Sequence, residues 1–477
     1  MKKIDSVRLL KEEVLSLIRR NKLSQALKLI HDFVGRIVTE PLCTSQVFGS
    51  KTLDELCLRI GHINLLNLSD EMTVVESEKP VFVYIVTKLQ KSGGHTRIIE
   101  NFIQAQEGGQ HVILLTGLEG KSDLDYVNNV LNKQNNLVLE QAPKADYLQR
   151  LTWLQKRLTG LSPKKVYLFN QHQDSVATAA LQPEMELDAY FYHHGDHHLC
   201  LGVYLSHLKH IDPHPMGYHH CREKLGIDNI YVPLTAEDKG NRSPDLAFLH
   251  FRQLVTCTAA RWNKIEVPYF VSYLELVPSL LKATGGRHIH IGQLTPWAIY
   301  KIKRGLKFYG IASDRFVYIK WVPSVWKALQ ENQVDLYIAS IPYGGGVTLI
   351  EAMGAGIPVA LHRHIFSEVL SGIDLAYPGA FSWRQPEELL NFCESVTSAE
   401  LEKASKLGRM QFESFHSLKH LGHFLNDAIQ YTLLPAKAAN KFVVAADEWG
   451  LWMERQLNFR RLIVRTVYRA YRYFRAY

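Results

Sequence analysis

Short apolar runs alternate with segments of helix length over most of the chain. The run at 81–86 (VFVYIV) is followed by a glycine pair and then by a predicted helix over 96–106. Short buried strands that alternate with helices are typical of βα units on a parallel sheet. The other runs that predict strands lie at 111–115, 166–169, 189–192, 254–258, 287–291, 316–319, 335–339 and 359–361.

The alternating pattern predicts two successive doubly wound α/β domains. A polar stretch at 240–247 (GNRSPDLA) predicts a linker between them, and apolar residues at helical spacing predict helices before residue 69. In such sheets ligands bind beyond the carboxyl ends of the strands, so we expect a site between the two domains. The predicted parts are a helical N-terminal extension (1–75), two Rossmann-like domains (76–245 and 246–435) and a helical tail (436–477).

The C-terminal 27 residues form the most basic segment of the sequence. They contain seven arginines, one glutamate and no lysine, and so carry six of the eight net positive charges of the chain. Arginines fall on one face of the predicted helix and apolar residues on another, which predicts a basic amphipathic helix. Two interpretations stay open: contact between 451–477 and an anionic membrane surface, or a terminal helix that docks on the domains.

Composition narrows the class of protein. Of the 477 residues, 46% are hydrophobic and 21% are charged, which indicates a globular chain. The modest net charge gives no reason to expect a nucleic-acid partner. Six cysteines without metal-type spacing are typical of a reduced, intracellular protein. We find no apolar signal segment and no run of transmembrane length, and expect a cytoplasmic chain, peripheral at the inner membrane face if the tail binds there.

The most informative segment lies at 335–362 (DLYIASIPYGGGVTLIEAMGAGIPVALH). A predicted strand leads into Gly344–Gly346, and a predicted helix follows with Thr348 in its first turn. Uncapped N–H groups and the helix dipole suit a diphosphate there, and the Glu351 carboxylate can accept hydrogen bonds from ribose hydroxyls. The alternative is that the glycines only permit tight packing.

This segment resembles the nucleotide-sugar donor domain of GT-B glycosyltransferases. It is particularly similar to bacterial relatives of O-GlcNAc transferase and of the HMW-type cytoplasmic adhesin glycosyltransferases, which carry P-[FY]-x-G-G-x-T-x-x-[DE]-A-x-x-x-G-x-P-V. The resemblance implies a GT-B fold, in which two Rossmann-like domains face a cleft, with the acceptor domain at 76–245 and the donor domain at 246–435. The residues that it assigns to the donor are Tyr343, Gly344, Gly345, Gly346, Val347, Thr348 and Glu351.

The stereochemical outcome is also suggested by the resemblance. Retaining GT-B enzymes carry two glutamates with seven residues between them. Glu351 occupies the second position, but Tyr343 occupies the first. This departure favours an inverting transfer.

A histidine-rich stretch at 192–202 (YHHGDHHLCLG) directly follows a predicted strand. It resembles the H-A-D-H-x-F-x-L-G stretch of the same transferases, which His194, Asp196 and His197 match. An inverting transfer needs a base for the acceptor proton, and a histidine with a pKa near ~6.5 can serve. These three residues are the catalytic candidates, and the sequence does not select one as the base. Five further histidines stay unassigned: His207, His210, His214, His219 and His220.

Metal binding is the alternative for this stretch, because His-x-x-His with an intervening aspartate can ligate zinc. GT-B enzymes generally work without a bound metal, and the sequence offers no evident third or fourth ligand beside the motif. We therefore expect no metal and no cofactor, with the nucleotide-sugar as a substrate. The D-x-D tripeptide at 123–125 lies in a polar segment and is discounted as a metal site.

Three weaker signals complete the candidate site. Gly93 and Gly94 resemble the glycine-rich first loop of GT-B acceptor domains, which approaches the donor phosphates. Lys264 is the first choice for a basic residue on the diphosphate and Arg261 the second, although either could be a surface cation. The segment at 321–324 could bind the base, or Trp321 could be a core residue.

These patterns together predict an enzyme. The expected reaction moves a hexosyl or N-acetylhexosaminyl group from a nucleotide-sugar, with UDP the expected nucleotide, to an envelope glycan, lipid-linked or protein acceptor. The alternative is a non-catalytic GT-B-like module that binds a nucleotide-sugar or glycan at a membrane surface.

Overall fold

The chain forms two compact units in a computed structural model. One unit contains Met1–Val232 and Thr432–Tyr477, and the other contains Pro233–Tyr431. The four-part division predicted above stays a prediction. The described residues are 6–38, 47–68, 78–90, 94–118, 120, 122, 136–195, 197–250, 253–267, 269, 271–364, 368–427, 429–436, 466, 467 and 470.

The first unit is built on a parallel sheet of seven strands in the order β3-β2-β1-β4-β5-β6-β7. Its strands are β1 (Val81–Val86), β2 (Gln110–Leu115), β3 (Leu137–Gln141), β4 (Lys165–Phe169), β5 (Ala189–Tyr192), β6 (Lys209–Asp212) and β7 (Asn229–Tyr231). Its helices are α1 (Val7–Arg19), α2 (Leu23–Val38), α3 (Lys51–Leu66), α4 (Gly94–Ala105), α5 (Tyr147–Leu161), α6 (Ser175–Ala180) and α7 (Pro215–Glu223).

The three N-terminal helices share one hydrophobic core with this sheet. Each presents apolar residues at helical spacing, which all lie in the same buried cluster as the inward residues of β1 and β4. Polar bonds add to this packing: on α3, Asn64 donates to the Gln155 side chain of α5 at 2.8 Å. The helices therefore complete the first unit's core.

We expect Gly61→Ala to destabilise the first unit. A Cβ atom at this position on α3 would collide with the backbone carbonyl of Ala179 on α6. Overpacking of this kind costs about 1–3 kcal/mol in the free energy of unfolding. Gly35→Ala is the matched control. Among the described residues its Cβ would meet Gln173 Cγ at the ordinary contact distance of 3.9 Å, and alanine favours the helix by about 1 kcal/mol relative to glycine. Urea denaturation should show a lower free energy of unfolding for Gly61→Ala and a higher one for Gly35→Ala. Equal changes in the two variants would contradict the close packing of α3 on α6.

The second unit is built on a parallel sheet of six strands in the order β10-β9-β8-β11-β12-β13. Its strands are β8 (Val255–Ala259), β9 (Arg287–Ile291), β10 (Phe316–Ile319), β11 (Leu336–Ile338), β12 (Val359–His362) and β13 (Phe381–Trp383). Its helices are α8 (Trp262–Ile265), α9 (Tyr273–Thr284), α10 (Pro296–Phe308), α11 (Val325–Glu331), α12 (Gly346–Gly354), α13 (Pro386–Ser395), α14 (Ser398–Gln411) and α15 (Leu418–Asn426).

The predicted α/β class with two parallel sheets is confirmed, and each predicted strand is present within two residues at either end. The polar segment 240–247 lies inside the second unit. Its Arg242 is buried, donates to the Val334 carbonyl at 2.7 Å and lies over the Phe248 ring at 4.2 Å. This segment therefore contacts the second unit through its arginine, and its assignment as a linker stays a prediction, as do the domain bounds.

Two further expectations concern membrane-spanning helices and the basic C-terminal segment. In the part of the chain that the structure describes, none of the helices is long and apolar enough to cross a membrane. The predicted basic helix at 451–477 lies outside the described residues, apart from 466, 467 and 470.

Candidate active site

The glycine-rich stretch forms a turn between β11 and α12, here called the glycine turn (342–348). Hydrogen bonds to residues outside the turn hold its shape: Gly344 N–H donates to the Leu370 carbonyl at 2.7 Å, and Ser340 Oγ donates to the Tyr343 carbonyl at 2.6 Å. Thr348 Oγ1 donates back to the Gly345 carbonyl at 2.9 Å. The predicted strand, turn and helix are therefore present in that order.

Two of the glycines are required by close packing. A Cβ on Gly344 would lie 2.6 Å from the Ser371 carbonyl oxygen, and one on Gly345 would lie 2.5 Å from Thr348 Oγ1. Gly345 is also the N-cap of α12, and within the described residues no side chain caps that helix. The first N–H groups of a helix have no partner within it, so this turn combines open donors with the positive end of a helix dipole. Such an arrangement suits an anion.

A lysine contacts the glycine turn from the short helix that follows the neighbouring strand. Lys264 lies on α8, just after β8, and β8 pairs with β11. Its Nζ donates to the Gly344 carbonyl at 2.7 Å. Burial lowers the pKa of Lys264 to about 8, so the ammonium form still predominates at neutral pH. This is the single hydrogen bond that the Lys264 ammonium makes within the described residues. An ammonium carries three protons, so two of them remain for a ligand.

Other candidates in the second unit surround this pair. Tyr337 Oη donates to Thr348 Oγ1 at 3.0 Å, and Glu351 lies partly exposed one turn further along α12. The Tyr343 ring stacks on His364 with ring centroids 6.1 Å apart. Val347 and Gly346 form the start of α12, where both are partly exposed.

The two weaker candidates of this unit have clear positions. Arg261 is the N-cap residue of α8 and is partly buried. Of the two basic candidates, Lys264 is the one whose hydrogen bond to the glycine turn is described above. Trp321 follows β10 and is 47% exposed, which excludes the interpretation of this tryptophan as a core residue.

Histidines gather at the strand ends of the first unit. They follow β1, β4, β5 and β6, which are consecutive neighbours in the sheet, so their carboxyl ends meet at one edge. We call this set the strand-end histidines: His95, His172, His194, His197, His198 and His214.

Ring contacts connect several of these side chains. The His194 ring centroid lies 4.5 Å from that of His95, and the His197 centroid lies 5.6 Å from that of His172. His198 lies 4.9 Å from His197 and 5.4 Å from His172. The structure therefore brings both histidines of the predicted motif into one aromatic, polar group.

This packing keeps His194 neutral. Burial lowers the pKa of His194 well below its usual value, and the neighbouring His95, His197, His172 and His214 lower it further. Burial also lowers the pKa of His95 to about 4. A neutral imidazole has a free lone pair that can accept a proton, and the lowered pKa makes His194 a weaker base than an ordinary histidine.

A buried carboxylate supports the loop that follows these histidines. Asp54, on α3, accepts hydrogen bonds from the N–H groups of Gly202 at 2.8 Å and Tyr204 at 2.9 Å. Burial raises the pKa of Asp54 to about 7, although both hydrogen bonds lower it. Gly202 has a φ of +106° and its Cβ would collide with the Phe191 ring, which explains the glycine of the motif.

Two predicted site residues, Gly93 and Asp196, lie outside the described residues, while Gly94 begins α4. Sequence reasoning did not include His172 or Asp54 in the site and left His214 unassigned. His172 and His214 could have been included because each lies just after a strand, at the edge where the site is expected. Asp54 lies within a helix, and its sequence position does not indicate the site.

Three other unassigned histidines have local contacts. His207 bonds the Leu181 carbonyl at 3.2 Å, and His219 pairs with Glu223 at 3.0 Å. The His220 ring packs on Phe48 with centroids 4.4 Å apart. These contacts give each of the three a place in the packing of the first unit.

Solved structures resemble this chain in fold, whereas sequence comparisons find no match. No protein-family model matches the chain, and no curated protein sequence matches it. The lipopolysaccharide outer core galactosyltransferase WaaB, in its apo form, covers 73% of this chain over 99% of its own length, with 16% identity and a TM-score of 0.53. Anabaena HepE, solved with UDP, covers 74% of this chain over 100% of its own, with 10% identity and a TM-score of 0.54. The fold is that of the GT-B glycosyltransferases.

The GT-B fold extends over about three quarters of the chain. A glycosyltransferase from Rickettsia africae ESF-5 covers 75% of it over 100% of its own length, with 12% identity and a TM-score of 0.53. The GT-B fold that the two sequence motifs implied is therefore confirmed. At these identities the likeness concerns architecture, and the activity has to be argued from the site residues.

Proposed function

We propose that the chain is a glycosyltransferase that uses a nucleotide-sugar donor, with UDP as the nucleotide. The observation that carries this proposal is the contact of the Lys264 ammonium with the uncapped glycine turn at the start of α12. A cation and open backbone donors at one point are what a diphosphate requires. The GT-B fold supports the proposal, as do the structures of HepE with UDP and with UDP-glucose.

The donor would bind through the second unit. Lys264 and the first N–H groups of α12 would hold the diphosphate, and Glu351 would accept hydrogen bonds from the ribose. Negative charge develops on the leaving diphosphate during transfer, and fixed donors aimed at that charge lower the barrier. Gly93 and Gly94 are proposed to approach the same phosphates, with Tyr343 and Thr348 shaping the turn.

The acceptor would be activated by the first unit. We assign His194 as the base that removes the acceptor proton, since its environment keeps the imidazole neutral. His197 and Asp196 are proposed to position the acceptor, and transfer is proposed to invert the anomeric configuration. In this scheme no metal or cofactor takes part in the reaction, because Lys264 and the backbone supply the charge stabilisation.

The proposed sugar is a hexosyl or N-acetylhexosaminyl group, and the proposed acceptor is an envelope glycan, a lipid-linked glycan or a protein. The arginine-rich segment 451–477 supports a peripheral position at the cytoplasmic face of a membrane.

Vesicle flotation tests this attachment. We expect the full chain to float with anionic vesicles and the chain cut before Leu451 to lose most of that binding, because each basic side chain contributes about 1 kcal/mol near an anionic surface. High salt should weaken the binding of the full chain. Unchanged flotation of the shortened chain would contradict the anchoring role.

Thermal unfolding with nucleotides tests the donor site. We expect UDP to raise the melting temperature, since a ligand at 100 times its Kd stabilises the folded state by about 2.7 kcal/mol. Uridine and UMP should have smaller effects, because they lack the diphosphate that Lys264 contacts. GDP and the other nucleoside diphosphates show which nucleobase the site prefers. If no nucleoside diphosphate changes the melting temperature, the donor-site assignment is wrong.

A further inference from the structure

A second polar group lies buried in the first unit, apart from the strand-end histidines. We call it the β6 cluster; His193 directly follows β5, His210 and Asp212 lie on β6, and Cys221 lies on α7. His210 is 3% exposed, and the other three are 0% exposed. Four groups with metal-binding atoms thus share one dry site, and the transfer mechanism uses none of them.

The distances within the β6 cluster suit a single metal ion. One ligand atom from each residue lies within 4.8 Å of all the others. Asp212 Oδ1 is 3.0 Å from His193 Nδ1 and 3.6 Å from Cys221 Sγ, and Cys221 Sγ is 3.5 Å from His193 Nδ1. Around tetrahedral zinc, with bonds of about 2.0–2.3 Å, ligand atoms lie about 3.3–3.8 Å apart. The three separations among His193, Asp212 and Cys221 are close to that range, and the full set of four lies within 4.8 Å.

Two imidazole nitrogens in this cluster, His193 Nε2 and His210 Nε2, are buried and make no hydrogen bond within the described residues. His210 Nε2 lies 3.2 Å from Asp212 Oδ2, but its geometry makes no hydrogen bond there and the atom is buried. Buried polar atoms are almost always paired, so an orphan aimed into a cluster of ligand atoms needs an explanation. A metal bond to this nitrogen would supply its missing partner.

A supporting contact orients the carboxylate. Asn229 Nδ2 donates to Asp212 Oδ2 at 2.6 Å and to the Tyr218 carbonyl at 2.9 Å. Outer contacts of this kind hold the ligands of metal sites in position. Asp212 therefore has a fixed orientation toward the other three side chains.

We propose that His193, His210, Asp212 and Cys221 bind one zinc ion. Two imidazoles, one thiolate and one carboxylate form a four-ligand set of the borderline softness that zinc prefers. All four ligands come from the protein and the site is closed to water, which is the pattern of a structural site. On binding, a sulfur–zinc bond replaces the S–H bond of Cys221, and the thiol proton passes to solvent.

The metal would stabilise the part of the sheet that carries the catalytic candidates. His193 immediately precedes His194, so a zinc ion that joins β5, β6 and α7 would fix the start of the 194–198 segment. This role differs from the metal site considered for the His194–His197 motif, since it shares no ligand with it. The inference is independent of the proposed transferase activity.

Metal analysis of the full untagged chain, grown with added zinc, tests the proposal. We expect about one zinc per chain, and near none in Cys221→Ala and His210→Gln. Cys257→Ala is the matched control, because Cys257 is an equally buried free cysteine in the second unit and should keep the metal. A wild-type chain without zinc, or a Cys221→Ala chain with a full equivalent, would overturn the proposal.

Because the variants could fail to fold, the wild-type chain provides a second measurement. Cobalt(II) added to the metal-free chain should give a thiolate-to-cobalt charge-transfer band and the visible bands of a tetrahedral site, saturating at one equivalent. Zinc should displace it, and a chelator should lower the melting temperature of the zinc-loaded chain. Absence of the thiolate band would show that the β6 cluster is a network of hydrogen bonds and ion pairs only.

Discussion

His194→Gln is expected to reduce the rate of sugar transfer by about 10²- to 10⁴-fold, which is the usual contribution of a general base. Glutamine keeps the polarity and approximate size of the side chain but cannot accept the acceptor proton as an imidazole does. UDP binding, measured by thermal shift, should not change, because the proposed donor residues lie in the second unit. The loss should therefore fall on kcat rather than on donor affinity.

The pH profile gives an independent readout of the same residue. A base must be neutral to act, so the acidic limb of the activity profile appears as the pH drops through the pKa of this base. Burial and neighbouring histidines hold the pKa of His194 well below its usual value. The acidic limb of kcat/KM should therefore lie below the ordinary histidine value of about 6.5. A limb at or above that value would contradict the assignment.

Two matched variants separate the alternatives. His207→Gln should keep full activity, since His207 lies in the same unit and bonds the Leu181 carbonyl. His197→Gln tests the other histidine of the motif. If it loses activity by the larger factor while His194→Gln retains most of it, His197 is the base. If both variants transfer sugar at the wild-type rate, neither histidine is the base. If the wild-type chain binds UDP but transfers no sugar, the chain is a binding module rather than an enzyme.

Lys264→Met should produce the second large effect. Hydrogen bonds to a charged group contribute about 1.5–3 kcal/mol, so UDP should bind about 10- to 100-fold more weakly. The rate of transfer should fall further, by about 10²- to 10³-fold, because the same charge would stabilise the leaving diphosphate. Lys264→Arg should recover part of the affinity but not the full rate, since its planar fork cannot reproduce the contact to Gly344.

The control for net charge is Lys282→Met, an exposed lysine on α9 that lies over the Tyr309 ring. It should leave UDP binding unchanged. Unfolding of Lys264→Met should occur at or above the wild-type temperature without nucleotide, because burial already disfavours the ammonium form. Normal UDP affinity in Lys264→Met would remove the central support for the donor site.

The sequence predicted the fold where local composition was decisive. Continuous apolar runs such as Val81–Val86 became the buried central strands. β3, β6, β7 and β13 were missed: β3 is only partly buried, β6 reads Lys-His-Ile-Asp, and β7 and β13 have three residues each. A strand this short or polar is stabilised by its neighbours in the sheet, which a local pattern does not contain.

The candidate site divides in the same way. The glycine turn was predictable because its glycines, strand and helix are adjacent in sequence. The Lys264 contact joins residues 80 positions apart, and the prediction of this lysine rested on the GT-B resemblance rather than on any local pattern. The role of Asp54 was not predictable, because it acts on a loop 148 residues away.

By itself, the sequence determined that this chain forms two parallel α/β sheets and carries a glycine-rich strand-to-helix turn and a histidine motif, since each depends on neighbouring residues. Only the tertiary structure decided which distant side chains meet. Strands that are neighbours in the sheet, such as β1 with β4 and β8 with β11, are separated in sequence, so the groups at their ends converge only after folding. The same convergence on β5, β6 and α7 assembles the β6 cluster, and burial there leaves His210 Nε2 without a hydrogen bond.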